Sequence, residues 1–178
     1  VGSEMCIRDR TISGNNYQNG NWRGDGSYYF SKFPHCWGWA TWKDRWEIYP
    51  EEKFIWEKLN KAKMLNNIFN SRKELRYWSP IFDKLYKHNK PDSWSYRWFL
   101  LCQAKGALNV LPNQNLVQNI GFSSDATHTK RGESPIQLKF KNYESTGILP
   151  LVEPSFILRS DDADNFCLLY TSDAADDQ

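Results

Sequence analysis

The chain has 178 residues, 40% of them hydrophobic and 16% aromatic, with 23 Lys and Arg against 21 Asp and Glu and a formal net charge of +2. That length suits one domain or part of one, and its core must draw heavily on aromatic rings. No apolar run approaches the ~20 residues of a membrane span. The basic residues are scattered among acids, which argues against a nucleic-acid partner and is compatible with an anionic ligand or membrane surface.

In chain order, the N-terminus comes first, and it reads together with the C-terminus. Met5-Cys6-Ile7-Arg8-Asp9 can be encoded by ATG TGT ATA AGA GAC, and Cys167-Leu168-Leu169-Tyr170-Thr171-Ser172 by TGT CTC TTA TAC ACA TCT. Apart from the end nucleotides, these are reverse complements. Unrelated termini of one gene have no reason to be so. Both resemble translated transposon-adapter sequence from a sequencing library. Residues 1–10 and 167–178 are therefore expected to be non-native tails without packed tertiary contacts, flanking a native region at 11–166. The tails hold two basic and five acidic residues, so the native region carries +5. Cys36 and Cys102 remain within it, without Cys-x-x-Cys spacing. Neither a zinc site nor a disulfide framework is indicated, and a reducing, cytoplasmic setting is expected.

Thr11 to Gly14 reads as a short strand, followed by a polar loop to Gly26. Ser27-Tyr28-Tyr29-Phe30-Ser31 has strand propensity. Then comes His35-Cys36-Trp37-Gly38-Trp39-Ala40-Thr41-Trp42-Lys43-Asp44-Arg45-Trp46, with four tryptophans in twelve positions. Trp39, Trp42 and Trp46 at i, i+3 and i+7 predict one helical face of three indoles. Gly38 suits a turn into that helix, or a close approach by a ligand. An aromatic stripe of this kind commonly pins a helix to a core. It can also wall a sugar or nucleotide pocket, since indoles stack on the apolar faces of sugars.

A further helical turn is expected around Phe54–Leu59, and a short helix over 63–70. A longer helix is expected over 73–88, with Leu75, Trp78, Phe82, Leu85 and Tyr86 on one face. Pro80 should kink or restart it. Asp92 or Ser93 is placed to cap a helix from Trp94 to Lys105, ended by Gly106. Leu108–Pro112 is a strand, and residues 115–122 hold a turn and a second extended piece. Residues 123–134 form a polar loop, and 138–140 and 156–159 are isolated extended segments. Short strands mixed with amphipathic helices indicate an α/β or α+β domain.

Four pieces, in this order, carry a resemblance. They are Ile12-Ser13-Gly14-Asn15-Asn16; Tyr28-Tyr29-Phe30-Ser31 with His35-x-Trp-Gly-Trp-Ala-Thr-Trp; Asp92-Ser93-Trp94-x-Tyr96-Arg97-Trp98; and Leu111-Pro112-x-x-Asn115-Leu116-Val117-x-Asn119-Ile120-Gly121-Phe122 through Asp125-Ala126-Thr127-His128-Thr129. Together they resemble the C-terminal half of bacterial family 2-type glycosyltransferases, the nucleotide-diphospho-sugar transferases. The resemblance implies the acceptor half of a GT-A fold. It implies transfer of a sugar from a nucleotide-diphosphate donor to a glycan or lipid-linked acceptor, with inversion. The intact enzyme is expected to use a divalent metal, Mg or Mn, and to work in the cytoplasm, with possible peripheral membrane association at the inner face. The acidic metal- and diphosphate-binding motif that precedes the Ser-Gly-Asn-Asn segment in that family is missing from this chain. Asp25 and Asp44 lack the pairing it needs, so the fragment is expected to be inactive alone.

An inverting transfer needs a carboxylate to take the acceptor hydroxyl's proton as it attacks the anomeric carbon. By resemblance that group is Asp92, which also reads as a plain helix cap. Many relatives place an acid directly after the tryptophan, where this chain has Ser95. By resemblance His128, with Lys130 and Arg131 behind it, is expected near the metal or the diphosphate, although a solvated loop explains the same residues. No residue is assigned as a metal ligand. His35, Trp37, Gly38, Trp39, Asn15 and Arg97 are the expected substrate-binding residues. Arg97 has Asp92, Asp44 or a phosphate as expected partners. His35 also reads as a buried structural histidine, Asn15 as part of a turn, and Trp94 with Trp98 as core. A competing function is a non-catalytic carbohydrate-binding module. Such modules are usually β-sandwiches, which the helical reading of 73–88 disfavours.

Overall fold

The structure is a computed structural model that describes residues 9–117 and 149–176. Among the described residues it is a mixed α/β arrangement of one four-stranded sheet and six α-helices. The strands are β1 (Asp9–Ser13), β2 (Tyr28–Ser31), β3 (Trp39–Ala40) and β4 (Leu108–Pro112), in the order β2-β4-β1-β3. β4 runs parallel to β1, and the two outer pairings are antiparallel. The helices are α1 (Lys43–Trp46), α2 (Ile55–Lys61), α3 (Leu65–Ile68), α4 (Arg72–His88), α5 (Trp94–Ala104) and α6 (Asp161–Asp176).

Successive side chains of a strand point to opposite faces, so register decides what each face meets. Thr11 lies opposite Asn109, Tyr29 opposite Leu111 and Ser31 opposite Asn109, which puts all five on one face. Two helices cover that face. Trp98 of α5 donates its indole N–H to Thr11 Oγ1 at 3.0 Å. Ala163 of α6 packs with Tyr29 and Leu111, and Ser31 Oγ donates to Asp164 Oδ1 at 2.6 Å. Arg159, at the start of α6, forms a parallel bridge with Phe30.

Beyond α5 lies the aromatic core. Phe99 stacks on Phe33 at 5.5 Å and on Trp78 at 4.6 Å between centroids, and Phe82 joins them. Each such pair adds about 0.5–1.5 kcal/mol beyond the area it buries. The predicted apolar face of α4 is the one buried: Trp78, Phe82 and Leu85 are inside, with Leu75 and Tyr86 packed at the margin. The start of α4 is held by a reciprocal cap. Ser71 Oγ accepts from Glu74 N at 3.1 Å, and Glu74 Oε2 accepts from Asn70 N at 2.8 Å. The other oxygen of Glu74 receives Lys32 Nζ at 2.5 Å, with both side chains buried. This pair joins the chain after β2 to α4.

The sequence reading needs correction at several points. Trp39 and Ala40 are not helical. They pair with Ser13 and Ile12 as an edge strand, and only Lys43–Trp46 forms a helix. Gly38, at φ +56°, turns the chain so that the open edge of β1 can be satisfied, and the ladder outweighs the helical spacing. The helix expected over 63–70 shrinks to α3. α4 runs through Pro80 as one element. Buried rings on both sides of the missing hydrogen bond hold it there. Of the two expected cap residues Ser93 occupies the N-cap of α5, but its side chain makes no capping bond. Residues 167–168 do not lack packed contacts, because Cys167 and Leu168 are buried on α6. Asp9 and Arg10 likewise belong to β1. The extended pieces proposed at 118–122 and 138–140 lie outside the described residues. No helix among the described residues is long and apolar enough to cross a membrane.

Candidate functional site

Three of the four sequence pieces meet at the end of β1. Gly14 N donates to Gly38 O at 2.8 Å, and Leu116 N donates to Gly14 O at 2.8 Å. A Cβ on Gly38 would stand 2.3 Å from Val117 Cγ1, and one on Gly14 would stand 2.7 Å from the same atom. Both glycines are therefore required by Val117. The close approach predicted at Gly38 is made by the chain itself, and the space a ligand might use is filled. Asn115 sews the junction together. Its Oδ1 accepts from Asn16 N at 2.9 Å, and its Nδ2 donates to Val117 O at 2.6 Å.

The remaining piece, at the start of α5, joins through tryptophans. Trp94 stacks on Trp39 with centroids 4.8 Å apart and planes 28° apart. Trp46 sits 5.7 Å from Trp39 and 5.3 Å from Trp98, and stacks on Tyr49 at 4.5 Å. Trp98 is buried, while Trp94 is 40% and Trp46 38% exposed. The result is an indole wall with a buried back and an open front. Helical spacing picked out Trp39 and Trp46 as neighbours for the wrong reason; they meet across a strand and a helix. Trp94, read as core, is the ring that makes the wall accessible.

Asp92 is exposed, two residues before Trp94 and just after a cis Lys90–Pro91 peptide. It precedes Trp94, the exposed ring of the wall, by two residues. The positive end of α5 favours a negative charge there. Ser93 and Ser95 hydroxyls are 2.8 Å apart, and Ser95 is in hydrogen-bonding reach of the Cys36 thiol. That links α5 directly to the residues before Trp37.

The other expected substrate residues separate from the wall. His35 is buried, with Nδ1 3.4 Å from Asn15 O and its ring 4.7 Å from Tyr17. Burial pushes its pKa down to about 4, so the imidazole is neutral. It serves the interior and offers no open hydrogen bond to a sugar. Trp37 is half-buried, edge-on to Tyr17 at 5.7 Å. Asn15 is buried, and its side-chain amide makes no hydrogen bond of normal geometry. Arg97 reaches neither Asp92 nor Asp44. Its Nη2 donates to Asn89 Oδ1 at 2.7 Å and its guanidinium lies 5.2 Å from the Tyr86 ring, tying α5 to the end of α4. His128, Lys130 and Arg131 lie outside the described residues.

No family model, curated protein or solved structure matches the chain. Among the described residues no group of three or more His, Cys, Asp or Glu is gathered to hold a metal. Asp25 is engaged with Ser155 N at 3.1 Å, and Asp44 with Arg45 at 2.8 Å. The described carboxylates by themselves do not fit a divalent ion.

Asn113 went unnoticed in the sequence. Its Oδ1 accepts from Arg23 N at 2.8 Å, and its Nδ2 donates to Arg23 O at 2.8 Å and Gly26 O at 2.9 Å. The only signal was an Asn in a turn after Pro112, which is too common to single out.

Proposed function

We propose that the chain is the acceptor-side part of a glycosyltransferase that moves a sugar from a nucleotide-diphosphate donor to a glycan or lipid-linked acceptor. The observation that carries this reading is the half-open indole wall of Trp39, Trp46 and Trp94, with the exposed Asp92 two residues before Trp94 in the chain. Segments far apart in sequence bring it together, and they are the same segments that resemble the family 2-type enzymes.

In this reading the acceptor sugar lies with an apolar face on the exposed Trp94 and Trp46 rings. Asp92 accepts the proton of the attacking hydroxyl as the new bond to the anomeric carbon forms and the diphosphate leaves from the opposite face, with inversion. Ser95 has no acid–base capacity at neutral pH, which leaves Asp92 as the carboxylate of this loop. The donor diphosphate and any divalent metal belong to the part of the enzyme that would precede Thr11. The reading also places the reaction in the cytoplasm.

The experiment is sugar transfer by the intact enzyme with Asp92→Asn. The asparagine keeps size and polarity, so the expected result is a loss of at least about 100-fold in kcat with an unchanged unfolding midpoint. Turnover within a few-fold of wild type rejects Asp92 as the base.

A further inference from the structure

α4 is amphipathic in a second sense, through the charge on its outer face. It carries five Lys and Arg against two acids, Glu74 and Asp83, while the whole chain has a net charge of only +2. Glu74 points inward to Lys32 and neutralises none of the five. At about 100° per residue, Arg72, Lys73, Arg76, Lys84 and Lys87 all fall within roughly a third of the helix circumference, centred on the exposed Pro80. All five are exposed. Lys87 lies 3.5 Å from Asp83, and among the described residues the other four form no ion pair. Asp83 falls in the same arc with its side chain 49% exposed, and it also accepts from Trp56 Nε1 at 3.0 Å, so it offsets one of the five cations.

Seventeen residues make this a ridge about 25 Å long. Like charges packed along one face repel, and each gains when an anionic surface meets it. The shape limits what that surface can be. The face is convex, with no groove to track a strand. It also has no exposed ring for bases to stack on; Tyr77 at its margin is half-buried against Trp78. Single-stranded nucleic acid is held by a groove with stacking aromatics, which this face lacks. A flat sheet of lipid phosphates meets a convex cationic ridge along its whole length.

We propose that the outer face of α4 docks this protein on the surface of an anionic phospholipid bilayer. Attachment is electrostatic and peripheral, without insertion, since the face carries no exposed large apolar side chain. It deepens the peripheral membrane association that the resemblance to family 2-type enzymes implies, by naming the surface, and it rests on the charge of α4.

The test is co-sedimentation of the full chain with vesicles of phosphatidylcholine alone and of phosphatidylcholine mixed with phosphatidylglycerol. Binding is expected only to the mixed vesicles and should be lost at high salt. Lys73→Glu with Lys84→Glu should lower the partition coefficient at least about tenfold. Lys43→Glu with Lys105→Glu makes the same change in net charge elsewhere and should lower it much less. Circular dichroism checks that both variants fold. No binding of the wild type to the mixed vesicles overturns the proposal, as does an equal loss in the two variants. Poly-uridylate that displaces the protein from vesicles at sub-stoichiometric phosphate would overturn it in favour of a nucleic-acid partner.

Discussion

Lys32 and Glu74 are two ionised side chains with 6% and 2% exposure, held at 2.5 Å. Such a pair gains little over two apolar residues, but removing one partner strands a buried charge. Glu74→Ala is therefore expected to destabilise by about 3–5 kcal/mol, and Lys32→Met with Glu74→Leu by much less. Urea unfolding of the single and double variants checks this, and simple additivity would count against it. His35 and Asp164 make a second residue-scale case, with opposite signs. His35 titrates at about 4 when folded, below its ordinary value near 6.5, so the unfolded chain takes the proton first and stability falls as pH drops from 6.5 to 4. Burial pushes Asp164 up to about 6, although Ser31, Lys32 and Arg159 pull the other way. Its folded form takes the proton first, so stability rises as pH falls from about 6 toward 4. Each effect amounts to at most about 3 kcal/mol, and they offset. Asp164→Asn should unmask the loss on acidification, and His35→Gln the gain. Denaturation midpoints from pH 6.5 to 4 that run parallel in all three proteins reject this.

At the scale of elements, α4 carries an internal proline that its sequence neighbours tolerate only through packing. Pro80 is exposed, so its replacement creates no cavity. Pro80→Ala restores a backbone donor and removes the clash with the preceding turn. The expected gain is about 1–3 kcal/mol, read as a higher Tm. A lower Tm would mean that the ring stabilises the fold in a way its exposure does not suggest. Most of the secondary structure was legible in the same local terms. The apolar spacing of α4, the Gly106 stop after α5, with φ +63°, and the β-propensity of β2 and β4 all have local causes. β3 was not legible. Its two residues sit in a tryptophan pattern of helical period, and they become a strand only because β1 has an open edge.

For the whole molecule, the sheet is covered on one face by α5 and α6, and α6 crosses the boundary between native and adapter-like sequence at residue 166. The contacts that seat it, Ala163 on Tyr29 and Leu111 and Asp164 on Ser31, lie before that boundary. Cys167 and Leu168 add burial after it. A chain ending at Phe166 is expected to keep its far-UV spectrum and lose about 2–4 kcal/mol of stability, the burial of two modest side chains. Loss of the folded spectrum would mean that the adapter-like helix is indispensable.

The sequence by itself determined the mixed α/β class, the helices α4 and α5, and the short segments that carry the functional reading, because propensity, caps and apolar period act within a few residues; α6 was not legible. Tertiary structure alone decided that Trp39 is a strand residue stacked on Trp94, that Val117 is the reason for Gly14 and Gly38, and that His35 faces inward. Those outcomes depend on which distant segments fill the same space, and no local pattern of residues encodes that.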